Sequence, residues 1–488
     1  MSAPIQYDLV VRSSRIITPG GEFNGQIAVR DEKIVALLGP SESAPSTRRV
    51  DAGDKPVIPG LIDTHCHFRD PGYTHKEDYE HGTRAAAAGG VTTVFDMPNV
   101  DPPTTTPERL KAHLDNAAGK AVVDFGHNAS GVVPENIKEL AEAGATAFKV
   151  WMMKDIGRDY PHPPGTSLTN HAMLYRVFEA VAETGLPLYI HPHNHDLYEL
   201  FVKRSQEQWG MDFRSYARAL RGGDGVVLNT AIATILEMQR SVGTRLHVLH
   251  LSTREGVRMV REAKAQGRPI TAEANPFAMF VTNNWDNIEK KGPYALGFWV
   301  PEEDNPSMWQ AILDGTVDVI GSDHGPHTKE EKEVGWTDMY TAPGGSPFIE
   351  QYLRLMLTKV NEGTMSLQKV VELCSSSPAK LTGYYGRKGA IMPGADADLV
   401  VLDMAHEEIL KAENSHYRCG WMPSEDFPSK GRPIMTILRG NVIMEDGKVT
   451  AEAGSGRLLT PNDNRNPLGG ATVPPTVSDD AARQLEVK

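Results

Sequence analysis

From about residue 57 onward, short apolar runs alternate with longer helical stretches, and no other feature of the chain narrows its fold so far. Strands are expected at 57–63, 91–96, 122–128, 146–151, 187–191, 245–251, 269–273 and 317–322. Helices are expected between them at 78–89, 107–118, 135–143, 171–184, 229–242, 254–266 and 306–314. Eight successive β/α units imply a parallel (β/α)8 TIM-like barrel, an α/β fold, over 57–383. Residues that do chemistry in such a barrel sit at the C-terminal ends of its strands.

Short strands and turns flank this region. Segments 7–11 and 14–17 enclose a short turn, Pro19-Gly20-Gly21 breaks the chain, and 26–29 and 33–38 continue the pattern. Beyond Gly383, strands are expected at 397–402, 434–438, 442–444 and 448–450, the last two around Asp446-Gly447, a hairpin signal. The two flanks are expected to form one small discontinuous β-sandwich domain from 1–56 and 384–460. The remaining 461–488, rich in Pro, Gly and Asn, reads as an irregular tail, a surface or inter-subunit arm.

The expected strand ends carry a set of donors. His65 and His67 end the first strand, two residues apart and so on one face of it. Lys149 lies on the fourth strand, His191 ends the fifth, His250 the sixth and Asp323 the eighth. Each alone is weak, since strand histidines and buried lysines are common core residues. Four histidines, a lysine and an aspartate at one end of a parallel barrel point instead to a centre for zinc or a similar divalent ion. Arg69 follows the histidine pair and is placed to hold an anion beside it.

Bulk properties exclude other classes. A net charge of −13 argues against nucleic-acid or anionic-membrane partners. Three cysteines without a CxxC pair argue against a disulfide framework, and a reducing cytoplasm is the expected location. Residues 1–6 carry no basic flank or apolar segment of a secretory signal, and no apolar run approaches membrane-spanning length.

Three stretches carry a family resemblance: Asp63-Thr64-His65-Cys66-His67-Phe68-Arg69-Asp70-Pro71-Gly72, Ala87 to Asn99, and Ser322-Asp323-His324-Gly325-Pro326-His327. The chain resembles the amidohydrolase superfamily over most of 8–460, and closely its cyclic-amidohydrolase branch. These stretches look most like dihydroorotases, whereas 444–449 and 454–459 look more like the C-terminus of a hydantoinase. The resemblance implies binuclear-metal-dependent opening of a cyclic amide C–N bond, dihydroorotase-like, on an anionic ring. Hydantoinase (dihydropyrimidinase), allantoinase, cyclic imidase, lactone hydrolase and a non-catalytic scaffold are the alternatives. It implies two divalent ions, zinc in the first instance: one held by His65, His67, Lys149 and Asp323, the other by His191, His250 and Lys149. Lys149 would be carboxylated, Asp323 would be the catalytic acid–base, and Arg69, Asn99 and His327 would hold the substrate's carboxylate. A homo-oligomer, dimer or tetramer, is the implied assembly.

The sequence also departs from dihydroorotases. His193 stands where they carry an acidic residue, Asn275-Pro276-Phe277-Ala278 replaces a Thr-Pro-His-His stretch, and 295–301 differs before the eighth unit. Phe277, Phe298 and Trp299 suggest a more apolar pocket wall. Met152-Met153-Lys154-Asp155 lacks the tyrosine that hydantoinases carry after the lysine. Segments 155–168 and 203–226 read as inserted loops.

Overall fold

The computed structural model describes residues 6–154, 163, 165–282, 284–295 and 303–461. Eight strands lie side by side in chain order: β1 (Leu61–Cys66), β2 (Val91–Asp96), β3 (Asp124–Ser130), β4 (Ala147–Trp151), β5 (Leu188–His191), β6 (Leu246–Val248), β7 (Ile270–Ala274) and β8 (Val319–Ile320). All seven neighbouring pairs are parallel. Beyond β8 the chain returns to β1 through a parallel bridge between Cys66 and His324, with a 2.7 Å bond from His67 N to the His324 carbonyl. The result is a nearly closed barrel.

The first connecting helices are α1 (Tyr79–Ala88), α2 (Pro107–Ala118), α3 (Ile137–Glu142) and α4 (His171–Thr184). Thr106 caps α2 by accepting from Arg109 N, and Asn170 caps α4 by accepting from Met173 N, which fixes where both begin. The segment 203–226, read as a loop from sequence, is largely helical. It falls within α5 (His195–Trp209) and α6 (Phe213–Val242), capped by Asn194 and Asp212. Within α6 only Gly222, Gly223, Asp224 and Gly225 leave helical geometry. Three glycines, all at positive φ, make a true break there but conceal the helical stretch that precedes it.

Two further expectations are corrected. The stretch 57–63 is not one strand: Val57–Pro59 pairs with Leu399–Ile409 outside the barrel, and β1 starts at Leu61. Gly60 makes the transition, where an added Cβ would lie 2.2 Å from Thr92 Oγ1. The expected strands at 7–11 and 14–17 are one strand, Tyr7–Thr18, interrupted by a bulge between Ser13 and Ile16 rather than by a turn.

Tyr7–Thr18 belongs to a separate nine-stranded, mainly antiparallel sheet built from both ends of the chain. Gly21–Arg30, Lys33–Leu38, Ser46–Asp51 and Val57–Pro59 come from the N-terminal side, and Leu399–Ile409, Pro428–Leu438, Asn441–Glu445 and Lys448–Val449 from the C-terminal side. It has its own apolar cluster, including Leu9, Val11, Ile16, Ile27, Leu399 and Ile437. Asp446 and Gly447 take φ of 47° and 80°, as a two-residue hairpin requires.

A buried ionic cluster pins this sheet to the base of the barrel. Lys388 Nζ lies 2.8 Å from Asp124 on β3, 2.6 Å from Asp398 and 3.2 Å from Asp396, and Arg439 pairs with Asp124 as well. The expected tail beyond 461, most of the loop 155–168, and Phe298 and Trp299 lie outside the described residues. No helix among the described residues is long and apolar enough to cross a membrane.

Candidate metal centre

The C-terminal end of β1 is fixed from below by Asp63. Its buried carboxylate accepts from His65 N and Ser322 N, each at 3.1 Å, and from the Ser322 hydroxyl, tying β1 to the segment after β8. That tie brings His65 and His67 against Asp323. His65 Nε2 lies 3.2 Å and His67 Nε2 3.3 Å from the same oxygen, Asp323 Oδ1.

The far side of each imidazole is engaged. His65 Nδ1 stands 2.8 Å from Glu273 Oε1 on β7, and His67 Nδ1 stands 2.6 Å from Asn99 Oδ1. Both contacts favour the tautomer whose Nδ1 donates, and they direct both Nε2 lone pairs at a carboxylate oxygen. Lone pairs and an anion facing one another at this range repel unless a cation lies among them. This donor set therefore fits a divalent ion, and the partners behind it are those that orient metal-binding imidazoles. Burial pushes His67 down to about 4, which keeps its imidazole neutral.

Lys149 projects from β4 and is fully buried, with Nζ 4.4 Å from the Trp151 ring centroid and no hydrogen-bond partner among the described residues. Burial lowers its amine to about 7, against the pull of Asp323 and Glu273. His191 ends β5, and His250 follows β6 in left-handed backbone with φ 34°. Their rings meet edge to face at 4.4 Å, and His250 lies 6.0 Å from the His65 ring. Asp323 is also left-handed, with φ 49°. Strain at two non-glycine residues is retained only where the surroundings dictate it, as functional sites do.

Two participants were not singled out from sequence. Glu273 is completely buried, accepts from His65 and from His250 N at 3.3 Å, and is held well below its usual range by His65 and His247 against the effect of burial. Its signal was an acidic residue inside the apolar run Ile270–Ala274. Asn275, noticed only as a departure, donates from Nδ2 to Asp323 Oδ2 at 3.3 Å and caps the following helix by accepting from Ala278 N.

The three expected anion-holding residues follow β1, β2 and β8, neighbours around the barrel. Arg69 is buried and donates from Nε to the Pro326 carbonyl at 3.1 Å. Burial brings it down to about 9, so it stays a cation at neutral pH. Asn99 supports His67 through Oδ1. His327 is buried, with Nδ1 3.4 Å from Lys76 Nζ and 3.6 Å from Glu331, themselves paired at 2.7 Å. His193 packs edge-on against Tyr198 at 4.8 Å, and burial lowers it to about 3. Phe277 is buried against Phe348, so it contributes to packing.

A parallel barrel with imidazoles, a carboxylate and a buried amine gathered at its strand ends is the layout of a metal-dependent barrel hydrolase. Residues 57–443 match the Amidohydrolase family. The chain is 34% identical over 462 residues to an allantoinase of Streptomyces avermitilis, covering 93% of this chain and 98% of that one. It is 33% identical over 431 residues to a dihydroorotase of Methanosphaera stadtmanae, covering 86% and 92%. Among solved structures it resembles the L-hydantoinase (dihydropyrimidinase) of Arthrobacter aurescens, with a TM-score of 0.88 and 31% identity over 93% of this chain and 100% of that one. The chain belongs to the amidohydrolase family.

Proposed function

We propose that this protein hydrolyses the C–N bond of a cyclic amide, and that the barrel mouth holds two divalent ions, zinc in the first instance. The observation that carries this reading is the pair of imidazole lone pairs directed at Asp323 Oδ1 beside the buried amine of Lys149. His65, His67 and Asp323 would hold one ion, His191 and His250 the other, and Lys149 would contribute to both. When bound, such ions supply Lewis acidity toward the amide carbonyl and a water of lowered pKa.

The chain's own residues supply the rest. Carbon dioxide added to the neutral Lys149 amine, with loss of a proton, gives a carbamate, and a cation that would repel metal becomes an anion that attracts it. Asp323 takes a proton from the attacking water and delivers it to the leaving nitrogen. Asn275 holds one of its oxygens by a hydrogen bond, and the other faces the two imidazoles. Glu273 and Asn99 keep His65 and His67 in the required tautomer. A reducing, cytoplasmic location and a homo-oligomeric assembly belong to the same reading. Three buried free cysteines support the location.

For the substrate we favour a ring with a carboxylate next to the scissile amide, because Arg69 keeps a buried positive charge directly after the ligand pair. The likeness to an L-hydantoinase favours a second reading, a ring without that group. A matched pair of rings, with and without the carboxylate, separates them. A charge-assisted contact is worth about 1.5–3 kcal/mol, so Arg69→Met should lower kcat/KM for the anionic ring roughly ten- to a hundredfold. It should leave the neutral ring nearly unchanged. Preference of the wild type for the neutral ring, or equal loss on both, assigns the pocket to the second reading.

A further inference from the structure

Outside the barrel, between its wall and the first two helices, lies a second convergence of metal-binding groups. Asp96 ends β2, His127 lies on β3, His113 is on α2 and Tyr79 opens α1. All four are buried, with exposures of 0%, 0%, 2% and 0% respectively. Asp96 Oδ2 stands 3.4 Å from His113 Nε2, 3.9 Å from His127 Nδ1 and 3.3 Å from the Tyr79 hydroxyl, and the Tyr79 hydroxyl stands 2.9 Å from His113 Nε2. A tetrahedral zinc site with bonds of about 2.0–2.1 Å places its ligand atoms roughly 3.3–3.4 Å apart, a value these four separations bracket, and the ligand atoms of Asp96, His113 and His127 all lie within 4.8 Å of one another.

We propose that Asp96, His113 and His127, with the Tyr79 hydroxyl at the fourth corner, form a closed structural zinc site distinct from the barrel-mouth centre. Two independent observations support it beside the spacing. His127 Nδ1, the ring nitrogen that faces Asp96, is buried without a hydrogen-bond partner among the described residues, while its Nε2 is fixed by Thr104 Oγ1 at 2.8 Å. The Asp96 carboxylate is buried with only the two imidazoles within ion-pairing distance among the described residues. The Asp96 carboxylate would supply one negative charge, and release of the Tyr79 phenol proton to solvent as the ion binds would supply the second, so the filled site would leave no net charge in the interior.

His113 lies on the buried face of α2 with Leu110, Leu114 and Ala117, where an apolar residue would ordinarily sit. The site would join α1 and α2 to β2 and β3. Asp96 Oδ1 also accepts from Phe68 N at 2.9 Å, so the ion would steady the segment between His67 and Arg69 without touching substrate.

The test is metal content after chelation. Full-length wild-type protein from zinc-supplemented cells should retain one equivalent per chain after a chelator has removed exchangeable metal, because all four ligand residues are buried. His113→Asn and His127→Asn should each retain none. Zinc-edge anomalous diffraction on wild-type crystals should show a peak among the four atoms, a readout that does not depend on a variant folding. Retention of this equivalent in protein lacking metal at the barrel mouth would support the site even if the proposed hydrolytic centre failed. Wild-type protein stripped of all zinc by the same treatment, together with no anomalous peak among these residues, would overturn it and leave the cluster a hydrogen-bonded core.

Discussion

Burial brings the Lys149 amine down to about 7, so near neutrality much of the protein presents a neutral, nucleophilic nitrogen at the floor of the barrel mouth. Carbamate formation needs that neutral form. At fixed dissolved carbon dioxide, recovery of a decarboxylated protein should therefore slow as pH falls from about 8 to about 6, because protonation removes the reactive amine. A recovery rate flat across that window would contradict the assignment. Lys149→Ala should lose metal and turnover together, and short carboxylic acids should restore part of both. The donors at strand ends were legible because His, Lys and Asp are conspicuous there. Glu273 was not, since its partner His65 lies 208 residues away and only barrel closure brings the two together. Nor did sequence show that Asn99 would support His67 through Oδ1.

Elements with a clear local signal begin where sequence placed them. Helix α4 coincides with the expected 171–184 because Asn170 caps it and Gly185 ends it in left-handed backbone. The failures arise where backbone geometry or tertiary packing outweighs pattern. The Gly222–Gly225 break hid the helical stretch before it, and β8 is only Val319–Ile320, with the chain in left-handed backbone at Asp323 three residues on. Gly60 shows the same effect, one apolar run being divided between two sheets by a close approach to Thr92. Gly60→Ala should cost about 1–3 kcal/mol through overpacking, read as a lowered urea midpoint. An unchanged midpoint would show that β2 yields at no cost and that close approach is not why glycine stands there.

At the scale of the molecule, the barrel and the nine-stranded sheet share a charged seam at Lys388. Three carboxylates, Asp124, Asp396 and Asp398, surround this buried ammonium, with Arg439 on the far side of Asp124. Removing one partner from a buried ionic cluster leaves the others uncompensated, so Lys388→Met should cost about 3–5 kcal/mol in urea unfolding. A loss below about 1 kcal/mol, the range of exposed pairs, would show that solvent screens the seam. That the sheet draws on both chain ends was legible from the returning strands. The seam was not, because its members are spread from 124 to 439. The sheet holds the base of the barrel while the opposite end carries the centre, and the central claim concerns what that end does. It is tested most directly by following ring opening of dihydroorotate, hydantoin and allantoin with chelated and metal-reloaded protein. The account predicts no turnover after chelation and recovery on at least one ring with zinc, cobalt or manganese. Undiminished turnover by metal-free protein, or no ring opened by the reloaded protein, would contradict it.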